Sequence, residues 1–407
     1  MEPTSVLVGI VGKTNTGKST FFSAATEIAV PIENRPFVTI DPNVGVTYAR
    51  KPCVHTELGL PGCDAANSLC RRGQRFIPVK IIDVAGLVPG AHQGRGLGNR
   101  FLDHVRRADV LLLVVDASGS TDEEGRPVKP GSYDPVEEVR QMTFEFEEWL
   151  FSIIAKDWER IARQLDTAVA ADAAGTISQR LSGLGVTKRQ VADAIRLSGL
   201  DNKRFSSWSR EELRAFASRL RELSKPLVIV ANKVDVSPAE ENVKRLKEEY
   251  KGIPVVPASA LSELALRRAA SKGLIDYLPG DREFQVISQL PPEARKVLER
   301  VAELMRRWGS TGVQEAINVA LFSSLSLIPV YPVEDQNKYT DKQGRVLPDV
   351  LLIPKGSSVR ELAYRIHTEL GDTFLYAINA KTKQRVGESY EVKENDVIKV
   401  VASGARR

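Results

Sequence analysis

Cysteine is scarce in this chain. Only three occur among 407 residues, Cys53, Cys63 and Cys70, all in one short stretch. None forms a CxxC pair. His55 lies between the first two, yet the spacing is too irregular for an ordinary zinc module, so it reads against zinc and for free thiols in a reducing compartment. Long apolar runs are also missing: none approaches the roughly 20 residues of a membrane span. The apolar run near the N-terminus is short and better explained as a strand than as a signal peptide, so a cytoplasmic location is expected. A strong charge of one sign is lacking as well, with 57 Lys and Arg against 52 Asp and Glu giving a net +5. That excess leaves room for an acidic partner such as RNA without demanding one. What remains, 42% hydrophobic and 27% charged residues, is a globular composition long enough for two or three domains.

Five runs rich in Val, Ile and Leu recur along the chain: 6–11, 77–82, 110–115, 227–230 and 253–256. All but the last lack clean alternation, as parallel strands buried on both faces do, and each leads at once into a polar or glycine-containing motif. An open parallel α/β sheet places its ligand at those strand ends. Between the third and fourth runs the pattern becomes helical. Asp134 is placed to cap a helix beginning at Pro135, with Val139, Met142, Phe146, Leu150, Ile153, Trp158, Ile161 and Leu165 at helical spacing. Thr187 with Gln190 and Ser209 with Glu212 read as further capping boxes. The aromatic stripe of Phe144, Phe146, Trp149 and Trp158 reads as helix-packing core. Residues 135–223 are thus expected to form an all-helical insertion in a nucleotide domain made of 1–134 and 224–327. Residues 328–407 read as a small α+β module whose helix is capped by Ser358 and Glu361.

The first run is followed by GKTNTGKST, which satisfies GxxxxGK(S/T) at Gly12, Gly17, Lys18 and Ser19. Glycines let amides turn inward around phosphate, the lysine adds charge, and the serine hydroxyl reaches Mg2+. The whole loop, including Asn15, Thr16 and Thr20, is the candidate phosphate cradle. Asp83 closes the second run in KIIDVAG, where it is a candidate magnesium ligand, and Gly86 offers an amide to a γ-phosphate. Thr39, in RPFVTIDPN, is the third candidate ligand and γ-phosphate sensor. Asn232 to Asp235 spell NKVD after the fourth run. There Asp235 can accept from the N1 and N2 donors of guanine, Lys233 can cover the ring and Asn232 can tie loops together. Ser259 and Ala260, after the fifth run, complete the candidate base site. The ordered set specifies GTP over ATP.

The motifs GKTNTGKST, FVTIDPN, DVAGLVPGAHQGRGLGNRF and NKVD together resemble the Obg family of translation-factor-class GTPases, in its branch close to the YchF proteins. The segment after residue 328 is similar to a TGS domain, a β-grasp module. Several YchF-like proteins have lost NKxD and prefer ATP, whereas this chain keeps Lys233 and Asp235, so the resemblance implies a GTPase of the archaeal and fungal side branch. The place of the catalytic glutamine of Ras-like proteins is taken by Leu87, which the family resemblance also leads one to expect. Slow intrinsic turnover follows, with Lys18, Thr39, Gly86, Leu87 and His92 as the candidate catalytic set. Asn15 matches the asparagine that helps bind an activating K+ in related GTPases, and reads equally as a polar loop residue facing water. His92 and Arg95 ride on a glycine-rich segment, either as base and charge clamp or as solvated switch residues. The basic turn Lys381, Lys383 and Arg385 reads as a solvated hairpin tip or an RNA contact. The leading expectation is a GTP/GDP switch on ribosomal particles or RNA, docked through the TGS-like module. The alternative is a GTP/GDP sensor that grips a protein partner through the helical insertion, with hydrolysis incidental.

Overall fold

The computed structural model of the chain describes residues 6–26, 44–84, 105–167 and 172–403. The elements are β1 (Leu7–Val11), α1 (Lys18–Thr26), β2 (Val44–Pro52), α2 (Val54–Glu57), β3 (Leu69–Arg71), β4 (Gln74–Asp83) and β5 (Val110–Asp116). Five helices follow: α3 (Pro135–Ala155), α4 (Trp158–Thr167), α5 (Ala173–Arg180), α6 (Lys188–Leu197) and α7 (Arg210–Ser224). Then come β6 (Leu227–Asn232), α8 (Ala239–Glu249), β7 (Val255–Pro257) and α9 (Ala260–Ser271), a two-stranded ribbon of β8 (Ile275–Asp276) and β9 (Gln285–Val286), and α10 (Pro292–Trp308) and α11 (Val313–Asn318). The last part holds β10 (Leu327–Pro332), β11 (Leu351–Pro354), α12 (Val359–Ile366), α13 (Thr368–Asp372), β12 (Phe374–Asn379), β13 (Gln384–Val386) and β14 (Val397–Ala402).

The first sheet runs β2-β4-β1-β5-β6-β7, with β3 also on β4. From β4 to β7 every pair is parallel. These are the five apolar runs of the sequence, and their lack of alternation has the expected cause. Val8 and Ile10 bury in one cluster, while Leu7 and Val11 bury in another on the opposite face. The outer strand β2 pairs antiparallel with β4 and is half exposed. Its composition, VGVTYARKP, carries no apolar run, which is why the five runs do not include it.

Local chemistry starts the helices as the sequence indicates. Asp134 accepts from the Val136 amide with Pro135 in the first turn, and Thr187/Gln190, Ser209/Glu212 and Ser358/Glu361 each close a reciprocal capping box. Phe146, Trp149 and Trp158 are buried in the helical region, whereas Phe144 is 53% exposed and stands outside that core. Ile153 is likewise exposed, and its neighbour Ile154 is the buried residue of that turn.

The second sheet, β11-β10-β14-β12-β13, carries α12 over its own small core of Ile328, Val330, Leu351, Ile353, Val359 and Leu362. At β10 and β11 its other side does not face water. Tyr331, Leu347 and Leu352 join the cluster that contains Phe21, Val228 and Val230 of the nucleotide domain. The C-terminal module is therefore seated on the nucleotide domain through a shared apolar layer.

Candidate nucleotide site

β1 ends in the phosphate loop at the carboxyl edge of the parallel sheet. Gly12 has φ 144°, and a Cβ there would lie 2.4 Å from the Val114 carbonyl oxygen. At Gly17, φ 96°, a Cβ would lie 2.3 Å from Asn232 Nδ2. Only glycine fits either place. Asn15 adopts φ 62°, a conformation asparagine tolerates better than most residues. The loop runs into the N-terminus of α1, where free amides favour anions.

The Lys18 ammonium folds back over the loop and donates to the Lys13 carbonyl oxygen at 2.5 Å. Burial pulls its pKa below the ordinary lysine value, against the charges of Asp83 and Glu138. Ser19 Oγ donates to Asp83 Oδ2 at 3.0 Å. Burial pushes the Asp83 carboxyl up, against the Ser19 hydrogen bond and the charge of Lys18. A hydroxyl beside a carboxylate is an oxygen donor set of the kind a hard divalent cation takes, so Ser19 and Asp83 fit Mg2+. Thr16 is buried and its hydroxyl donates to the Lys13 carbonyl at 3.2 Å, while Thr20 sits half-buried in the first turn of α1.

Asn232, at the end of β6, uses both ends of its amide. Nδ2 donates to the Thr16 carbonyl at 2.8 Å, and Oδ1 accepts from the Ala260 amide at 3.0 Å. The phosphate loop and the NKVD loop are thereby fixed to one side chain. Lys233 takes φ 66°, and its Nζ donates to Asp116 Oδ2 at 2.9 Å. Asp235 stands exposed beyond buried Val234. Ser259 caps α9 by accepting from the Ser262 amide, so its hydroxyl and the Ala260 amide already serve the frame of the base loop.

The sequence reading missed two features of this site. One is Asp116, at the end of β5, which accepts from the Ser118, Ser120 and Thr121 hydroxyls and from Lys233. Burial pushes its carboxyl up, but the hydrogen bonds of Ser118, Lys233 and Ser120 outweigh this and hold it below the ordinary value. Its signal was present: an aspartate closing an apolar strand and followed by ASGST. The other is the loop 117–134, which lies against the phosphate loop. Thr14 Oγ1 donates to the Glu124 carbonyl at 3.1 Å and Asn15 Nδ2 to the Gly125 carbonyl at 2.9 Å. Lys13 Nζ meets Glu138 Oε2 at 2.9 Å and the Thr121 carbonyl at 3.0 Å, and lies 4.0 Å from the centre of the Tyr133 ring. Glu138 is fully buried and its pKa is pushed up to about 7 by desolvation, which Lys13 offsets only in part.

Thr39, Gly86, Leu87, His92 and Arg95 lie outside the described residues. The basic turn is engaged within the molecule. Lys381 pairs with Glu57, Lys383 Nζ donates to the Gln336 carbonyl and lies over Tyr339, and Arg385 lies over Tyr376. Cys53, His55, Cys63 and Cys70 converge, with their potential ligand atoms all within 4.8 Å of one another. The reading of irregular spacing as an argument against zinc is therefore corrected: the short helix α2, the loop after it and strand β3 assemble what the linear pattern separates.

A glycine-bounded phosphate loop joined to an NKVD loop through one asparagine, at the strand ends of a parallel sheet, is the arrangement of a P-loop guanine-nucleotide-binding protein. The family described as 50S ribosome-binding GTPase matches residues 7–156, that described as Obg-like GTPase YGR210-like, G4 motif-containing domain matches 230–335, and the TGS domain matches 337–402. A GTP-binding protein of Methanocaldococcus jannaschii is 48% identical, over 98% of this chain and 99% of its own. One of Schizosaccharomyces pombe is 32% identical, over 97% and 95%. The crystal structure of a GTP-binding protein from Pyrococcus horikoshii superposes with a TM-score of 0.78 at 42% identity, covering 98% of this chain and all of that one. The chain belongs to the Obg-like GTPases of the YGR210-like branch, related to YchF, with a C-terminal TGS domain.

Proposed function

We propose that the protein binds GTP with Mg2+, hydrolyses it slowly to GDP and phosphate, and uses the two states as a switch on ribosomal particles. The observation that carries the nucleotide reading is the Asn232 amide, which holds the phosphate loop and the base loop in one frame. In this assignment Gly12 to Thr20 cradle the phosphates, Ser19, Asp83 and Thr39 hold magnesium, and Asp235 reads guanine. Asn15 uses Nδ2 on the Gly125 carbonyl, which leaves Oδ1 as the atom for a potassium ion. Leu87 in the glutamine position means that water is ordered by other groups, completed on a partner. Ribosomal docking rests on the family descriptions and on the TGS domain, taken as residues 328–407.

GTP hydrolysis by the full chain in potassium buffer, with and without purified ribosomal particles, tests this reading. Stimulation of at least about tenfold is expected, as for GTPases whose site a partner completes. Unchanged turnover would count against the ribosome. One contact favours a second reading, a nucleotide sensor that grips a protein through the helical region. Glu138, in the first turn of α3, is ion-paired with Lys13 of the phosphate loop, so that region touches the nucleotide site. Partner binding that survives high salt would favour this reading, because phosphate contacts weaken steeply with salt.

A further inference from the structure

We propose that Cys53, His55, Cys63 and Cys70 bind one zinc ion, and that this ion clamps the C-terminal module to the edge of the nucleotide domain. The first support is geometric. Zn–S bonds of about 2.3 Å and Zn–N bonds of about 2.0 Å in a tetrahedron set S to S edges of about 3.8 Å and S to N edges of about 3.5 Å. Cys53 Sγ and Cys63 Sγ are 3.8 Å apart, and Cys70 Sγ and His55 Nδ1 are 3.6 Å apart. A Cys53–Cys63 disulfide would instead need about 2.05 Å and would leave Cys70 and His55 without a role.

The second support is electrostatic and independent of the first. Arg75 is fully buried and makes no ion pair with a carboxylate among the described residues, the Asp349 carboxylate being near enough only to feel its charge. Its partners are the Ser68 hydroxyl at 2.7 Å, the Leu347 and Pro348 carbonyls at 3.0 and 2.9 Å, Cys63 Sγ at 3.2 Å and, more distantly, Cys53 Sγ at 3.9 Å and the Tyr331 ring. A guanidinium out of water needs a counter-charge. Three thiolates and a neutral imidazole on Zn2+ carry a net charge of minus one, which supplies one in direct contact with the guanidinium. The same arginine then orients the ligand sulfur and reaches across to the TGS-side carbonyls.

The role follows from what the ligands hold. The segment between His55 and Cys70 forms the seam with the C-terminal module. The Asp64 and Ala66 amides donate to the Val346 and Pro348 carbonyls, both at 2.8 Å, and the Val346 amide returns a bond to the Asp64 carboxylate. The Asn67 side chain donates to the Val350 carbonyl at 2.9 Å and accepts from its amide at 3.1 Å. A metal fixing both ends of this segment pre-shapes the seam.

The test uses the full chain, purified in reductant without a metal-binding tag. Metal analysis should find one zinc per chain. The three thiols should resist a thiol reagent until a chelator removes the ion. Cobalt exchange should give tetrahedral d–d bands with thiolate charge transfer, and Cys70→Ser should abolish both. To keep the test independent of that variant's folding, the clamp is read on the wild-type chain: amide exchange at Asp64, Ala66, Val346 and Val350 should quicken at least tenfold on chelation. Metal-free protein with three reactive thiols, or with a Cys53–Cys63 disulfide, would overturn the site. Zinc removal that leaves those amides unchanged would overturn the clamp. None of these readouts depends on which nucleotide the protein binds.

Discussion

Glu138 and Lys13 show how one buried pair couples distant parts of the chain. The carboxyl belongs to the helical region and the ammonium to the phosphate loop, and their contact at 2.9 Å is removed from solvent. Desolvation raises the Glu138 pKa from 4.5 to about 7. A raised carboxyl pKa contributes stability that is complete below the unfolded value and lost as pH rises through the folded one. Glu138→Gln removes this titration, so its stability relative to the native chain should improve steadily between pH 5 and pH 8. Urea unfolding at several pH values measures this, and a pH-independent difference would show that Glu138 titrates normally. Glu138 lies among ordinary polar residues of a capped helix, and nothing in its sequence position tells that its side chain meets Lys13. Asn232 is the opposite case, since its tie between loops follows from its place in NKVD.

At the scale of elements, the loop 117–134 is the part of the site with the least sequence signature and a large share of its contacts. Gly125 sits at φ 79°, and a Cβ there would fall 1.9 Å from Thr14 Oγ1 and 2.7 Å from the Thr14 carbonyl oxygen. Gly125→Ala should therefore displace the phosphate loop and weaken GTP binding by about tenfold, the scale of a strained turn of 1–2 kcal/mol, while the fold survives. Fluorescent-nucleotide titration with far-UV circular dichroism separates the two effects, and unchanged affinity would mean that the loop only rests on the site. Parallel strands and helix caps were legible because their chemistry is local, repeated apolar residues in one case and a side chain bonding three residues on in the other. The half-exposed β2 and the three-residue β3 were not, because pairing with β4 rather than composition makes them strands. The same pairing brings Cys70 of β3 beside His55 of α2, a meeting that no spacing rule anticipates.

The whole molecule is built around shared layers rather than beads on a string. Tyr331, Leu347 and Leu352 lie in one cluster with Phe21 and Val228, and Arg75 crosses the same boundary. Removing the C-terminal module would bare that layer, so its contribution to docking is best read by surface substitutions in the full chain. The sequence marked this module as a separate unit through its change of pattern, but its seating depends on residues distant in sequence and was not legible. The proposed function unites the parts through a guanine nucleotide held between Lys18 and Asp235, and the affinities of GTP, ATP and XTP for the native chain and for Asp235→Asn test that most directly. The native chain should prefer GTP over ATP by at least about a hundredfold, and the variant should transfer that preference to XTP. Equal affinity of the native chain for ATP and GTP, or an Asp235→Asn variant that still selects GTP, would contradict the account.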